Sequence, residues 1–213
     1  MNGQKDRLIS ATERLLCSRG LARITTRDIA QAAKVAEGAL YHHFSDKAEL
    51  ILAVVLNSVG TFREVLESLP LQVGQNTLQQ NLERVLASAF EFHYKIAPMV
   101  CSLFADQELL ARVRRIMNER CVGPGQTASV LAAYLGAERK LGRVGPGADL
   151  ETAAELMLAA SFNAALLDHF YDVSSSPAKA RRRMRDRVQT LLVGLAPDGA
   201  NGRASRPAKR ARR

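Results

Sequence analysis

Tryptophan is absent from the chain and aromatic residues make up only 5% of it, while alanine and leucine recur throughout. That balance favours helix over sheet. No stretch reaches the roughly 18 uncharged apolar residues of a membrane span, and the longest candidate, 153–167, contains Glu155. The first ten residues lack the apolar run of a secretion signal, so no membrane association and a cytoplasmic location are expected. Cysteine is scarce: Cys17, Cys101 and Cys121 are odd in number and far apart. This excludes a disulfide framework and a cysteine metal site, and each thiol is expected as a small buried apolar side chain. Also missing are a nucleophile elbow, a phosphate-binding glycine loop and an HExxH pair. No enzyme, cofactor or metal is therefore expected. Adjacent His42 and His43 would point about 100° apart on a helix and cannot chelate together.

Acidic residues are scarce only at the C-terminal end, where residues 178–213 hold 12 basic side chains against 2 acidic ones. Residues 1–50 are nearly balanced, with 8 against 6. The overall charge of +9 is thus no argument for nucleic-acid binding by the N-terminal part. At 213 residues the chain has room for one large domain or two small ones.

What is present is concentrated in residues 7–55. Leu8, Ala11 and Leu15, with Ile9 and Leu16 beside them, recur at helical spacing over 7–19, and Gly20 stands where a left-handed cap would stop the helix. Thr25 and Asp28 make a capping-box pair for a second helix running to about Ala33. Lys34-Val35-Ala36 forms a turn, and a third helix spans Glu37 to Phe44. Leu40 and Phe44, four apart, must face inward, which leaves Glu37, Gly38, Ala39, Tyr41, His42 and His43 outside.

This is a helix-turn-helix whose third helix suits the major groove of DNA. Gly38 and Ala39 let the backbone approach the groove floor. Thr25, Thr26 and Arg27 offer amides and a guanidinium to a phosphate, with Tyr41, His43 and Lys47 as further phosphate contacts. Base edges fall to Ala39 on a thymine methyl, His42, and Glu37 accepting from cytosine.

The run from Arg7 to Val55 resembles the DNA-binding head of the tetracycline-repressor (TetR/AcrR) family. The matching residues are Gly20, Thr25 to Ala30, Ala33, Val35, Gly38, Leu40-Tyr41-His42-His43-Phe44 and Lys47 to Leu50. The resemblance implies phosphate contacts by Tyr41, His43 and Lys47. Two residues depart from the family pattern: Ala36 stands where a capping serine or threonine is frequent, and Glu37 where a base or proline is.

The body reads as further helices: Asp46 to about Leu69, Leu78 to Ile96 broken at Pro98, Glu108 to Arg120 with a solvated basic face, and Thr127 to Leu141. Residues 153–167 are apolar nearly all round, and a last helix starts at Pro177. Such a helix needs two burial partners, and the last two helices are expected to pair with their copies in a homodimer; alternatively they complete the core of a monomer. The resemblance implies the same pairing and a small-molecule effector in a pocket, for which Phe90, His93, Met99, Phe104, Met117, Phe162 and Asn163 are candidates.

The expected fold is all-α: a three-helix helix-turn-helix head (1–50, motif about 26–45), a helical-bundle dimerisation and ligand domain (51–196), and a disordered basic tail (197–213). The expected function is ligand-responsive transcriptional repression on double-stranded, palindromic operator DNA. A DNA-binding protein without a small-molecule switch is the alternative.

Overall fold

The architecture comes from a computed structural model that describes residues 3–173 and 176–195. Among the described residues there are ten α-helices and no strand. They are α1 (Gly3–Arg19), α2 (Thr26–Ala33), α3 (Glu37–His43), α4 (Lys47–Ser58), α5 (Gly60–Ser68), α6 (Leu78–Leu103), α7 (Gln107–Glu119), α8 (Pro124–Lys140), α9 (Leu150–Phe170) and α10 (Pro177–Leu195). The expected tail, 197–213, lies outside the described residues.

Local chemistry accounts for most helix starts. Thr25 and Asp28 cap α2 reciprocally, Thr77 and Gln80 do the same for α6, and Asp46, Asp106 and Asp149 each accept an amide hydrogen bond at the starts of α4, α7 and α9. Pro124 occupies the first turn of α8, whose fixed φ suits it, so that helix begins earlier than expected.

Three expectations need correction. The single helix from Asp46 to Leu69 is divided at Val59. There Ser58 Oγ bonds back to the Val54 carbonyl at 2.9 Å and Gly60 follows, a pairing that bends helices. Pro98 does not break α6, which continues to Leu103. Proline cannot donate to the carbonyl four residues earlier, that of Tyr94; His169 Nε2, from α9, donates to it instead at 2.7 Å. Cys101 and Cys121 are exposed, not buried.

Two apolar cores hold the bundle. One joins α1 to α4 with the C-terminal end of α6 and with α7 through Leu8, Ile29, Leu40, Phe44, Leu50, Met99, Val113 and Ile116. The other joins α5, the first half of α6, α8, α9 and α10. Packing therefore runs without a break across residue 50, and α7 rests on α4. Helix α9 is long and apolar enough to cross a membrane by composition alone. Here one face of it packs on α6 and α8, while the buried Asp168 on α9 receives both terminal nitrogens of Arg183 on α10, at 2.7 and 2.5 Å.

Candidate nucleic-acid interface

The turn between α2 and α3 is set by Lys34 in the left-handed region (φ 56°), with the Val35 amide returning to the Ala30 carbonyl. Leu40 and Phe44 are buried, 0% and 2% exposed, and fix which way α3 faces. Glu37, Gly38, Tyr41 and His42 face solvent, while Ala39 and His43 are half-buried. A Cβ added at Gly38 would meet nothing within 4 Å, so internal packing gives no reason for glycine there. Ala36 begins α3 without a side-chain cap, as its residue type dictates.

A hydrogen-bonded set links the two helices on this face. Thr26 Oγ1 donates to Glu37 Oε1 at 3.2 Å and lies 3.1 Å from the Tyr41 hydroxyl. A carboxylate only accepts, so the single Thr26 proton goes to Glu37 and Tyr41 donates to Thr26. Tyr41 is 53% exposed, which leaves its ring and oxygen at the surface.

Other expected contacts are more internal. Thr25 is engaged by Asp28 through both amide and hydroxyl, and these bonds hold the Asp28 carboxyl below its usual range. The amides that α2 directs outward are then those of Thr26 and Arg27. His43 Nε2 is buried without a hydrogen-bond partner. Lys47 Nζ donates to the Leu21 carbonyl at 3.1 Å, and burial lowers its pKa. Lys47 therefore ties α4 to the segment after α1 in this conformation.

Two pairs that sequence spacing could not show clamp α4 to α7. Arg112 Nε lies 2.7 Å from Asp46 Oδ2, and Arg120 pairs with Glu49. Burial raises the Asp46 carboxyl, but the Arg112 hydrogen bond and helix-cap amides outweigh it and the net shift is downward. Two arginines expected on a solvated face are thus anchored to the first turn of α4. Their partners lie 66 and 71 residues away, beyond any local pattern.

The seven candidate pocket residues do not converge. His93 and Phe162 meet edge to face, with ring centroids 5.5 Å apart. Phe90 packs near Tyr94 and beneath Arg183. Met99 and Met117 belong to the core shared by α4 and α7, and Phe104 and Asn163 are exposed. Open grooves of about 380 and 310 Å³ flank α6 towards α10, the smaller lined by Phe90.

Comparisons place this geometry among known proteins. The profile of bacterial regulatory proteins of the tetR family matches residues 8–54. The HTH-type transcriptional repressor BepR of Brucella suis is 30% identical over 174 residues, covering 73% of this chain and 75% of that protein. The HTH-type transcriptional regulator TtgR of Pseudomonas putida is 49% identical over 123 residues, 54% of this chain and 49% of its own length. A TetR-family regulator from Mesorhizobium loti superposes with a TM-score of 0.71 at 16% identity, over 92% of this chain and 99% of that one. FadR from Bacillus subtilis, solved with stearoyl-CoA, gives 0.69 at 17% identity, over 89% and 98%. At these identities the structural likeness speaks for the fold.

Proposed function

The chain belongs to the TetR family of bacterial regulatory proteins, a transcriptional regulator, and from that premise we propose that it represses by binding a palindromic operator as a homodimer and releases it when a small molecule occupies the body. The observation that carries the DNA reading is the outer face of α3, where Gly38 meets nothing and Glu37, Tyr41 and His42 stand at the surface. In this reading Tyr41 and the amides at the start of α2 hold phosphates, His43 and Lys47 join them by turning outward from the internal positions they occupy here, and Ala39, His42 and Glu37 read bases.

Pairing is supported by α9, whose Leu156, Ala159, Asn163, Leu167 and Phe170 form an exposed, largely apolar stripe at helical spacing. Such a stripe fits a second copy of itself, giving the two-fold symmetry that a palindrome requires. Release is supported by the α4–α7 clamp, since a ligand that shifts α7 would reposition α4 and with it the head. FadR of Bacillus subtilis holds an acyl-CoA, which is a precedent for a small-molecule effector within this fold.

The scattered positions of the candidate pocket residues favour one second reading, a regulator whose body answers to a protein partner. The test of the main reading is selection from random duplex DNA by the full chain, followed by sedimentation of the complex. The expected outcome is an inverted repeat whose half-site centres lie about 34–36 Å apart, or a multiple of that, bound by two chains. Recovery of no recurrent sequence would count against it.

Gly38 gives a sharper consequence. Alanine is the better helix former, and its Cβ has open space here. Gly38→Ala is expected to raise stability by up to about 1 kcal/mol in urea unfolding while weakening operator binding. A variant with undiminished affinity would remove the argument for close backbone approach.

A further inference from the structure

We infer that Glu37 is a specificity-determining residue that demands cytosine at one position of each half-site and disfavours binding elsewhere; this rests on the operator reading above. The Thr26 hydroxyl on α2 donates to Oε1 at 3.2 Å and so biases the carboxylate towards α2. Thr26 is itself held by Tyr41, one turn after Glu37 on α3, at 3.1 Å. The acid is thereby oriented between two helices on the face proposed to enter the groove, and it remains exposed.

Its chemistry selects the base. A carboxylate accepts and never donates. In the major groove only cytosine N4 and adenine N6 donate, and adenine sets its N7 acceptor beside that donor. A carboxylate against adenine would face the N7 lone pair, while cytosine presents its amino group beside a carbon. Guanine offers acceptors alone, and thymine an acceptor and a methyl. Cytosine is the one base that matches.

The same set lowers affinity for arbitrary DNA. Thr26 gives its only proton to Glu37 and so has none for a phosphate, and Tyr41 must exchange its bond to Thr26 for one to DNA. The negative charge also repels the backbone unless an amino group meets it. Glu37 thus trades general attraction for discrimination, which suits a reader whose head is nearly charge-balanced.

The test is parallel selection from random DNA with the wild type, Glu37→Gln, Glu37→Ala, Thr26→Val and Thr26→Ser, followed by titration of single-base-pair operator variants. The wild type should require cytosine at one position per half-site by on the order of tenfold. Glu37→Gln should move that preference towards adenine, whose N6 and N7 glutamine can bond together. Glu37→Ala should erase it and tighten binding to non-specific duplex severalfold. Thr26 acts as a positioning residue: valine should blunt the preference at that position and at no other, and serine should restore it. Superimposable preferences for wild type and both Glu37 variants would overturn the inference while leaving the operator reading intact. A wild type that selects no sequence would instead overturn the operator reading.

Discussion

Arg183→Met is expected to destabilise the native chain by about 3 kcal/mol, lowering its melting temperature by roughly 6–12 °C. Asp168 is 3% exposed, and Arg183 reaches it with two nitrogens while lying 5.5 Å from the Phe90 ring centroid. Methionine fills similar space but takes the two-pronged guanidinium from a buried carboxylate, and weakening the compensation of a buried charge is costly even with Arg187 nearby. The Arg183 side chain is 28% exposed, so water offsets part of the loss and the low end of the usual range applies. Adding Asp168→Leu should recover much of it, because replacing both partners of a buried pair by apolar groups is often close to neutral. Unfolding in urea at fixed protein concentration checks both, since self-association would otherwise shift the midpoint. A single variant that loses under 1 kcal/mol, or a double variant no better than the single, would contradict the account.

Acid should weaken the body through His93. This side chain sits among Phe62, Phe92 and Phe162, and burial lowers its pKa to about 4 from the ordinary 6.5. Ser161 Oγ gives its proton to the Leu158 carbonyl at 2.8 Å, so His93 Nδ1 is the donor in their 2.9 Å bond. Between pH 6.5 and 4 the unfolded chain binds a proton that the native chain refuses. The neutral imidazole's contribution is therefore complete above pH 6.5 and is lost as the pH falls towards 4, about 3 kcal/mol in all. Carboxylates such as Asp46 and Glu49, held below their usual range, add their own losses lower in the window. The comparison that isolates His93 is unfolding from pH 7 to 4.5 for wild type and His93→Gln, which keeps a donor for Ser161 but does not titrate. The variant should lose less stability across that range. Equal losses would show that His93 is not the titrating group.

How much of this was legible in the sequence depended on distance along the chain. Thr25 with Asp28, Leu40 with Phe44, and Gly20 after α1 each act within one helical turn, and the structure places them as expected. Pro98 reads locally as a break because its neighbours cannot repair the lost hydrogen bond; His169, 75 residues from Tyr94, does. Arg112 and Arg120 alternate like any charged face, and only the packing of α7 on α4 brings Asp46 and Glu49 beneath them. The pocket candidates share only their residue type, and residue type does not encode convergence. On α3 the exposure of Glu37, Gly38, Tyr41 and His42 was legible from the inward pair Leu40 and Phe44, whereas the Tyr41–Thr26–Glu37 set needed the angle between α2 and α3.

The central claim, that the outer face of α3 reads an operator, is tested most directly by fluorescence anisotropy on the selected palindrome. Wild type and Tyr41→Ala are titrated across a salt series with non-specific competitor present. The account predicts tight, sequence-dependent binding that weakens on the order of a hundredfold in Tyr41→Ala, because a dimer loses the phosphate contact twice, while the helical signal and melting temperature persist. Binding that is indifferent to Tyr41→Ala and vanishes when residues 197–213 are deleted would contradict it, assigning DNA affinity to the basic C-terminal end.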